Sequence, residues 1–312
     1  MIRHSVALLI TVTALAAGCS SCFTGIESTP RITREDVRRS GVTVPAEQTF
    51  AEQISGETPR DWKPGKQWRV TDNKISLIFA GSPSEASDLA GKLITLESIT
   101  PVNTVTGVSN VELKFKDANG RPLVYMTDVA ADDWNTRENV AIPFTVEMSV
   151  VAEADSLLRG KTLYITTPMW YDRDGRMING LRHIPVTVNR VLPGNENYPL
   201  CVAFTPSVGN GVECYIFMTY GKSASSTRNF ERLFAFDNPR LRYPQITDET
   251  WGLIVRSRVA EGMNRDEAKL ALGTPASIDK GYTQGSLQME RWSYGDGVYL
   301  IFEEGVLIRY RI

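Results

Sequence analysis

The chain reads as a mainly β N-terminal region, built from two duplicated small β-barrel or sandwich units, followed by an α+β C-terminal domain in which two helices pack on a three-stranded antiparallel meander. Three observations predict this. Between Trp68 and Tyr220 short alternating runs are bounded by Gly, Asn, Asp and Pro, the texture of antiparallel strands and turns. Within that stretch one phrase occurs twice, DLAGKLITL from Asp88 to Leu96 and DSLLRGKTLYI from Asp155 to Ile165. After residue 246 the period changes to helical, with capping residues, and then returns to alternation. The implied boundaries are a signal peptide over 1–18, a tether over 19–65, β units over 66–137 and 138–222, a linker over 223–245 and the α+β domain over 246–312.

Composition narrows the function classes. A 312-residue chain with 42% hydrophobic and 22% charged residues is neither disordered nor a multi-span membrane protein. Its 34 Lys+Arg against 36 Asp+Glu leave no cationic excess to hold a polyphosphate, so nucleic acid is not an expected partner. Two histidines, His4 and His183, are too few for a multi-His centre, and no metal or cofactor is expected.

The first residues, MIRHSVALLITVTALAAG, carry one early cation and an apolar run from Val6 to Ala17, a secretory signal too short to span a bilayer that needs roughly 20 apolar residues. Leu15 to Cys19 resembles the lipobox of bacterial lipoproteins, which implies that Cys19 becomes the first mature residue and carries acyl chains. More than one chain is needed for stable anchoring, so the expected membrane partner is reached through this N-terminal lipid. Ser20 and Ser21 bring no acidic residue after the anchor, which by the same resemblance favours the outer membrane of a bacterial envelope. From Ser21 to about Gly65 the chain reads as a tether with short helix-like pieces such as PAEQTFAEQI.

Each β unit is expected to run strand, acidic turn, Leu-x-Gly-Lys strand, hairpin. KISLIF and FTVEMSV are the opening strands; VELKFKDANGRPLVYMTD and LCVAFTPSVGNGVECYIFMTY are the closing hairpins. The DANG run supplies residues that tolerate a tight turn, and Gly91 and Gly160 mark bends. A phosphate loop would need a longer glycine-rich cradle opening a helix, whereas these glycines open strands. Cys201 and Cys214 sit on the two arms of the second hairpin. They are a candidate cross-strand disulfide, worth about 3 kcal/mol in the chain-entropy model, or else a pair of buried free thiols. Twelve residues separate them, too many for a redox CxxC pair.

In the C-terminal region Thr247 is an N-cap candidate ahead of Asp248 and Glu249, and Trp251, Ile254 and Val255 fall on one helical face. Asn264 with Glu267 makes a capping box; Ala268, Ala271 and Leu272 line the second helix until Gly273 and Pro275 stop it. LQMERWSY, VYLIFEEG and VLIRYRI follow as strands. In the last, Val306, Ile308, Tyr310 and Ile312 point one way and are expected to be covered by the helices, with Arg309 and Arg311 pointing the other. The phrase GMNRDEAKLALGTP with the later Trp-x-Tyr and Tyr-Leu-x-Phe-x-x-Gly resembles the SmpA/OmlA (BamE-like) lipoprotein family. The matched positions are Gly262, Met263, Glu267, Leu272, Gly273, Pro275, Trp292, Tyr294, Phe302 and Gly305, about the last fifth of the chain. The resemblance implies an envelope lipoprotein that works through protein contacts.

Candidate sites are few. His183, in LRHIPVTV, reads as a hydrogen-bonded structural histidine, and YDRDGRMING as a strand-connecting turn, because it lacks the third acidic or Asn ligand and the closing Glu of a calcium loop. Trp170 and Tyr171 are either an exposed stacking platform for a glycan or half-buried aromatics of the sheet. Neighbours such as Asp132 and Asp133, or Glu303 and Glu304, point apart in extended chain and make no catalytic couple; carboxylates converging from different strands would be the sign of an enzyme. The expected function is therefore a non-catalytic envelope lipoprotein serving as an interaction or scaffolding module, its envelope protein partner unidentified. Tyr282, Tyr299, Arg309 and Arg311 are the candidate contacts. The alternatives are a glycan-binding lipoprotein or an inhibitor of a hydrolase, the latter from a fold-level likeness to β-lactamase inhibitor proteins.

Overall fold

The computed structural model describes residues 46–80, 88–103, 107, 109–221, 228–282 and 287–312. They belong to one compact unit, Val44–Ile312, in which strand outweighs helix and three antiparallel sheets stay open. Of the two expected forms, barrel or sandwich, the closed barrel does not form in any of them, so each sheet keeps two edge strands.

The first sheet has the order β2-β5-β4-β3-β1-β6. Its strands are β1 (Gln67–Val70), β2 (Phe79–Ala80), β3 (Leu93–Asn103), β4 (Ser109–Lys116), β5 (Pro122–Ala130) and β6 (Thr145–Glu147). The expected hairpin β4–β5 turns at DANG: Asp117 Oδ1 accepts the N–H groups of Asn119 and Arg121, and Gly120 N–H donates to Asp117 C=O. Burial works to raise the Asp117 carboxyl, but the hydrogen bonds from Arg121 and Asn119 outweigh it and hold the group below the ordinary carboxylate range. KISLIF is not a strand throughout. Asp72 accepts Lys74 N–H and winds Asn73–Leu77 into a 3-10 segment, leaving only β2 extended; a local side-chain cap wins over the alternating pattern. The core beneath is aromatic. Trp62 lies edge-on to Trp68 at 5.0 Å and to Trp134 at 5.6 Å, and Trp68 meets Phe115 at 5.5 Å, each pair contributing about 0.5–1.5 kcal/mol beyond its buried area.

The second sheet has the order β13-β7-β10-β11-β12-β8-β9. It comprises β7 (Thr162–Ile165), β8 (Met169–Tyr171), β9 (Met177–Asn179), β10 (Ile184–Pro193), β11 (Leu200–Pro206), β12 (Cys214–Met218) and β13 (Phe234–Ala235). FTVEMSV departs from expectation. Only Thr145–Glu147 is extended, as β6 on the first sheet, and Met148–Leu158 is a helix, here α2, the second after α1 (Ala46–Ala51). Val150, Val151, Ala154 and Leu158 recur at helical spacing and are buried, so this period prevails and takes Asp155 out of the expected turn.

The repeated phrase survives as a turn. Leu89 C=O accepts Lys92 N–H at 2.9 Å, and Leu158 C=O accepts Lys161 N–H at 3.0 Å. Gly91 and Gly160, at φ of +79° and +76°, donate to Val70 and Val188 at 2.8 Å, a left-handed conformation that favours glycine at both places. The likeness extends to the strand each turn opens, while the strand orders of the two sheets differ.

The tether and linker boundaries are also corrected. Phe50 of α1 and Ile54 are buried against Phe230 of α3 (Phe230–Leu233), with ring centroids of Phe50 and Phe230 4.8 Å apart, and Trp62 belongs to the first core. Segments carrying Phe50, Ile54, Trp62, Phe230, Leu233 and Phe234 have too much apolar surface to remain spacers.

The C-terminal elements are α4 (Asp248–Val255), α5 (Arg265–Leu272) and the meander β14 (Ser277–Tyr282), β15 (Gln288–Ser293), β16 (Tyr299–Glu303) and β17 (Val306–Arg311). Thr247 caps α4 through Thr250 N–H, and the Asn264/Glu267 capping box forms with both bonds. The sheet has four strands where three were expected, because SIDKGY, too polar to signal a strand, pairs along β15. Ile254, Ala268, Ala271, Trp292, Leu300, Phe302 and Leu307 make the core under the helices.

The expected covering of β17 fails at its start, where Leu307 and not Val306 faces the helices, while Arg309 and Arg311 beyond it point away as expected. Leu307 is 1% exposed, while Val306, Ile308, Tyr310 and Ile312 are 44%, 39%, 41% and 64% exposed. A bulge at Ile308, opposite the Ile301–Phe302 step, shifts the alternation by one, so the pattern that placed four apolar residues on one face does not hold across it.

Candidate functional site

Two surfaces and one ion-paired cluster bring chemistry-bearing side chains together. On the C-terminal sheet, cross-strand register places Arg309, Ile301, Arg291 and Asp279 in one row and Arg311, Tyr299 and Ser293 in the next, all on the face turned away from the helices. The guanidinium of Arg291 lies 5.0 Å from the Tyr299 ring centre, a cation–π contact. Arg309 and Arg311 are exposed, and among the described residues no carboxylate pairs with either. The edge of β17 is covered only at its start, where Gly262 N–H donates to Leu307 C=O and Leu307 N–H to Met263 C=O, both at 2.8 Å. From Ile308 onward no described strand pairs with that edge. Tyr299, Arg309 and Arg311 thus share one face; Tyr282 ends β14 opposite Gln288.

The second surface is a cleft of about 700 Å³ between β7, the residues before β10, α3 and α5. Arg182 and His183 form its inner wall. Arg182 Nη1 donates to the C-terminal carbonyls of α5, Leu270 and Ala271, at 3.1 and 2.8 Å, and its own N–H donates to Val255 C=O of α4. Burial pushes the Arg182 guanidinium down to about 10. His183, at φ +54°, bonds Leu270 C=O through Nε2 at 3.1 Å and packs against Trp251, the ring centroids 5.7 Å apart and the planes tilted by 39°. Burial is the main cause that holds the His183 imidazole below its ordinary value, with the Arg182 charge adding to it; Nδ1 is buried without a partner among the described residues. This supports the structural reading of His183 and adds what it fastens: the second sheet to the C-terminal helices.

Lys66 is the centre of the third cluster. Its Nζ, on a side chain only 5% exposed, donates to Glu57 Oε2 at 2.7 Å, Glu147 Oε1 at 2.5 Å and Ser149 Oγ at 2.9 Å, and lies 5.6 and 5.4 Å from the rings of Trp62 and Trp68. Glu153 on α2 is nearby, its carboxyl held above the ordinary range chiefly by burial and further by the charges of Glu147 and Glu57. Carboxylates from a loop, a strand end and a helix do converge here. Glu57 and Glu147 share one ammonium, so both are engaged as its counter-ions. Nothing local in the sequence signals this cluster or the cleft, since their residues are distant in the chain.

The remaining candidates separate. Cys19 lies outside the described residues. Cys201 and Cys214 are buried free thiols, not a disulfide: Cys201 pairs with Phe217 and Cys214 with Phe204, a three-residue offset that puts the side chains far apart along the strands and on opposite faces. Burial pushes the Cys201 thiol up to about 11. Trp170 is no exposed platform. It is 5% exposed, edge-on to Phe204 at 5.3 Å, and donates Nε1–H to Thr167 C=O, while Tyr171 packs against Phe217 beneath Arg228. Asp172 and Asp174 form the expected β8–β9 turn, with Asp172 Oδ1 accepting Asp174 and Arg176 N–H as Asp117 does in its own hairpin. Among the described residues no group of three or more His, Cys, Asp or Glu side chains could hold a metal ion, and no helix is long and apolar enough to cross a membrane. Compared with protein-family models, curated proteins and solved structures, the chain finds no match.

Proposed function

We propose that this chain is a non-catalytic, lipid-anchored envelope protein that binds an extended segment of a partner protein along the C-terminal sheet. The observation that carries the reading is β17: an edge with which no described strand pairs from Ile308 onward, beside a face bearing Arg291, Arg309 and Arg311 with exposed Val306 and Ile308. A free edge offers its backbone groups to an added strand, and side chains on the face supply specificity. Three arginines against Asp279 and Glu303 favour a partner strand that is acidic on one side and apolar on the other. Anchoring through Cys19, in the outer membrane of a bacterial envelope, belongs to the same proposal and rests on the lipobox resemblance; the helix pair on a meander is consistent with the SmpA/OmlA (BamE-like) resemblance. Burial of Trp170 removes the platform on which the glycan alternative stood.

The test is a photo-crosslinking residue placed at Tyr310 in intact cells, with Lys114 on the first sheet as the control position. A discrete adduct at 310, absent at 114 and lost when Arg309→Glu and Arg311→Glu are added, is the expected result. An adduct indifferent to both charge reversals would overturn the reading.

A further inference from the structure

We propose that the cleft between the second sheet and α5 is a binding site for an organic oxyanion, a phosphate or carboxylate carried on an apolar body. The argument starts from charge. Arg182, Arg228, Arg232 and Lys269 line one concavity with a single carboxylate, Asp266, and among the described residues no carboxylate pairs with Arg182, Arg232 or Lys269. Gathering like charges in a partly enclosed space costs free energy, and the same arrangement concentrates an anion there. Several cations outside the cleft, Lys66, Arg121, Arg159, Arg190 and Arg265, meet carboxylates. Arg309 and Arg311, which do not among the described residues, lie on an open sheet face rather than in a hollow.

Geometry makes the wall a prepared one. Arg182 spends Nη1 on the α5 carbonyls, which fixes the guanidinium plane, and Nη2 has no acceptor among the described residues; it lies beside Gly273, close enough that a Cβ added there would come within 3.7 Å of it. A planar guanidinium held from behind suits an oxyanion, because its fork needs no further ordering when the ligand arrives. Arg232 and Lys269 reach the mouth from α3 and α5, exposed and without hydrogen bonds from their side-chain heads to the described fold. Between these charges Leu233, Leu270, Tyr198 and Tyr243 supply apolar surface, so inorganic phosphate alone would leave the floor unused. The volume, about 700 Å³, accommodates a small organic molecule.

The experiment is calorimetric titration of the purified full chain at constant ionic strength with phenyl phosphate, phenylacetate, inorganic phosphate and benzyl alcohol. The expected result is that at least one aromatic anion binds more tightly than inorganic phosphate and that benzyl alcohol does not bind; phenyl phosphate against phenylacetate decides which oxyanion the site prefers. Arg232→Gln with Lys269→Gln removes two exposed cations whose heads make no hydrogen bond or ion pair among the described residues, and is expected to weaken the preferred anion about tenfold or more. Equal affinity in parent and double variant, or no anion binding at millimolar concentration, would overturn the proposal. The crosslink at Tyr310 reads the β17 edge and not this cleft, so either proposal can fail alone.

Discussion

Replacing Lys66 by Met removes the ammonium at the centre of the Glu57, Glu147 and Ser149 cluster while nearly preserving side-chain volume. Breaking a buried ion pair from one side costs about 3–5 kcal/mol, because it strands the opposite charge in a poorly solvated place. The two glutamates do not suffer equally. The Glu57 side chain is 49% exposed and can turn to water, whereas that of Glu147 is 10% exposed and cannot. The loss is therefore expected near the low end, about 3 kcal/mol, with the thioether keeping part of the contact to Trp62 and Trp68 that the cation made. Adding Glu147→Met removes the stranded carboxylate and should restore about 2 kcal/mol of that loss, since a packed apolar pair often matches a buried ionic one. Urea unfolding followed by tryptophan fluorescence reads both variants, because two of the fluorophores flank the substituted site. A single variant less than about 1 kcal/mol weaker than the parent, or a double variant no more stable than the single, would refute the reasoning.

Two further predictions concern the second sheet. Gly180→Ala would put a Cβ within 2.0–2.4 Å of the buried Trp170 ring, so the indole must move and the chain should lose about 3 kcal/mol, measurable as a lowered urea midpoint. His183 is held below its ordinary value, so the unfolded chain takes up the proton first; stability is full above the unfolded value of about 6.5 and is lost as pH falls through the lower folded value. Unfolding midpoints should drop on acidification from about pH 7 to 5 in the parent and much less in His183→Asn, which tolerates the same left-handed backbone but does not titrate. An equal slope in both would show that the imidazole is not the group responsible.

Much of the fold was legible where local chemistry decides it. DANG, the Thr247 cap and the Asn264/Glu267 box each name their own hydrogen bonds, and all form. Pattern and fold part where two periods compete. SVVAEADSLL follows an alternating run, and only burial of Val150, Val151, Ala154 and Leu158 on one side shows that the helix wins. Alternation likewise fails at the start of β17, because a bulge leaves no mark in composition and the extra residue at Ile308 puts Val306 on the face opposite to Tyr310. Cys201 and Cys214 looked like partners until register separated them: hairpin position is readable from sequence, pairing offset is not. The sites were the least legible. Arg309, Arg311 and Tyr299 could be placed on one sheet face from alternation, whereas Arg182, Arg232 and Lys269 meet only because a loop, α3 and α5 fold around one hollow.

Helix α5 is only eight residues long and is gripped at both ends, by Arg182 on its last carbonyls and by Arg265 near its start, which holds Glu290 of β15 through two bonds of 2.9 and 3.1 Å. At 1.5 Å per residue this makes a stiff rod roughly 12 Å long, one tip set in the second sheet's neighbourhood and the other in the third's. A rod so short has no slack to absorb a tug. Load on the last strands enters α5 at Arg265 and leaves it through Arg182 and His183, so whatever props those two side chains in place also braces the far sheet.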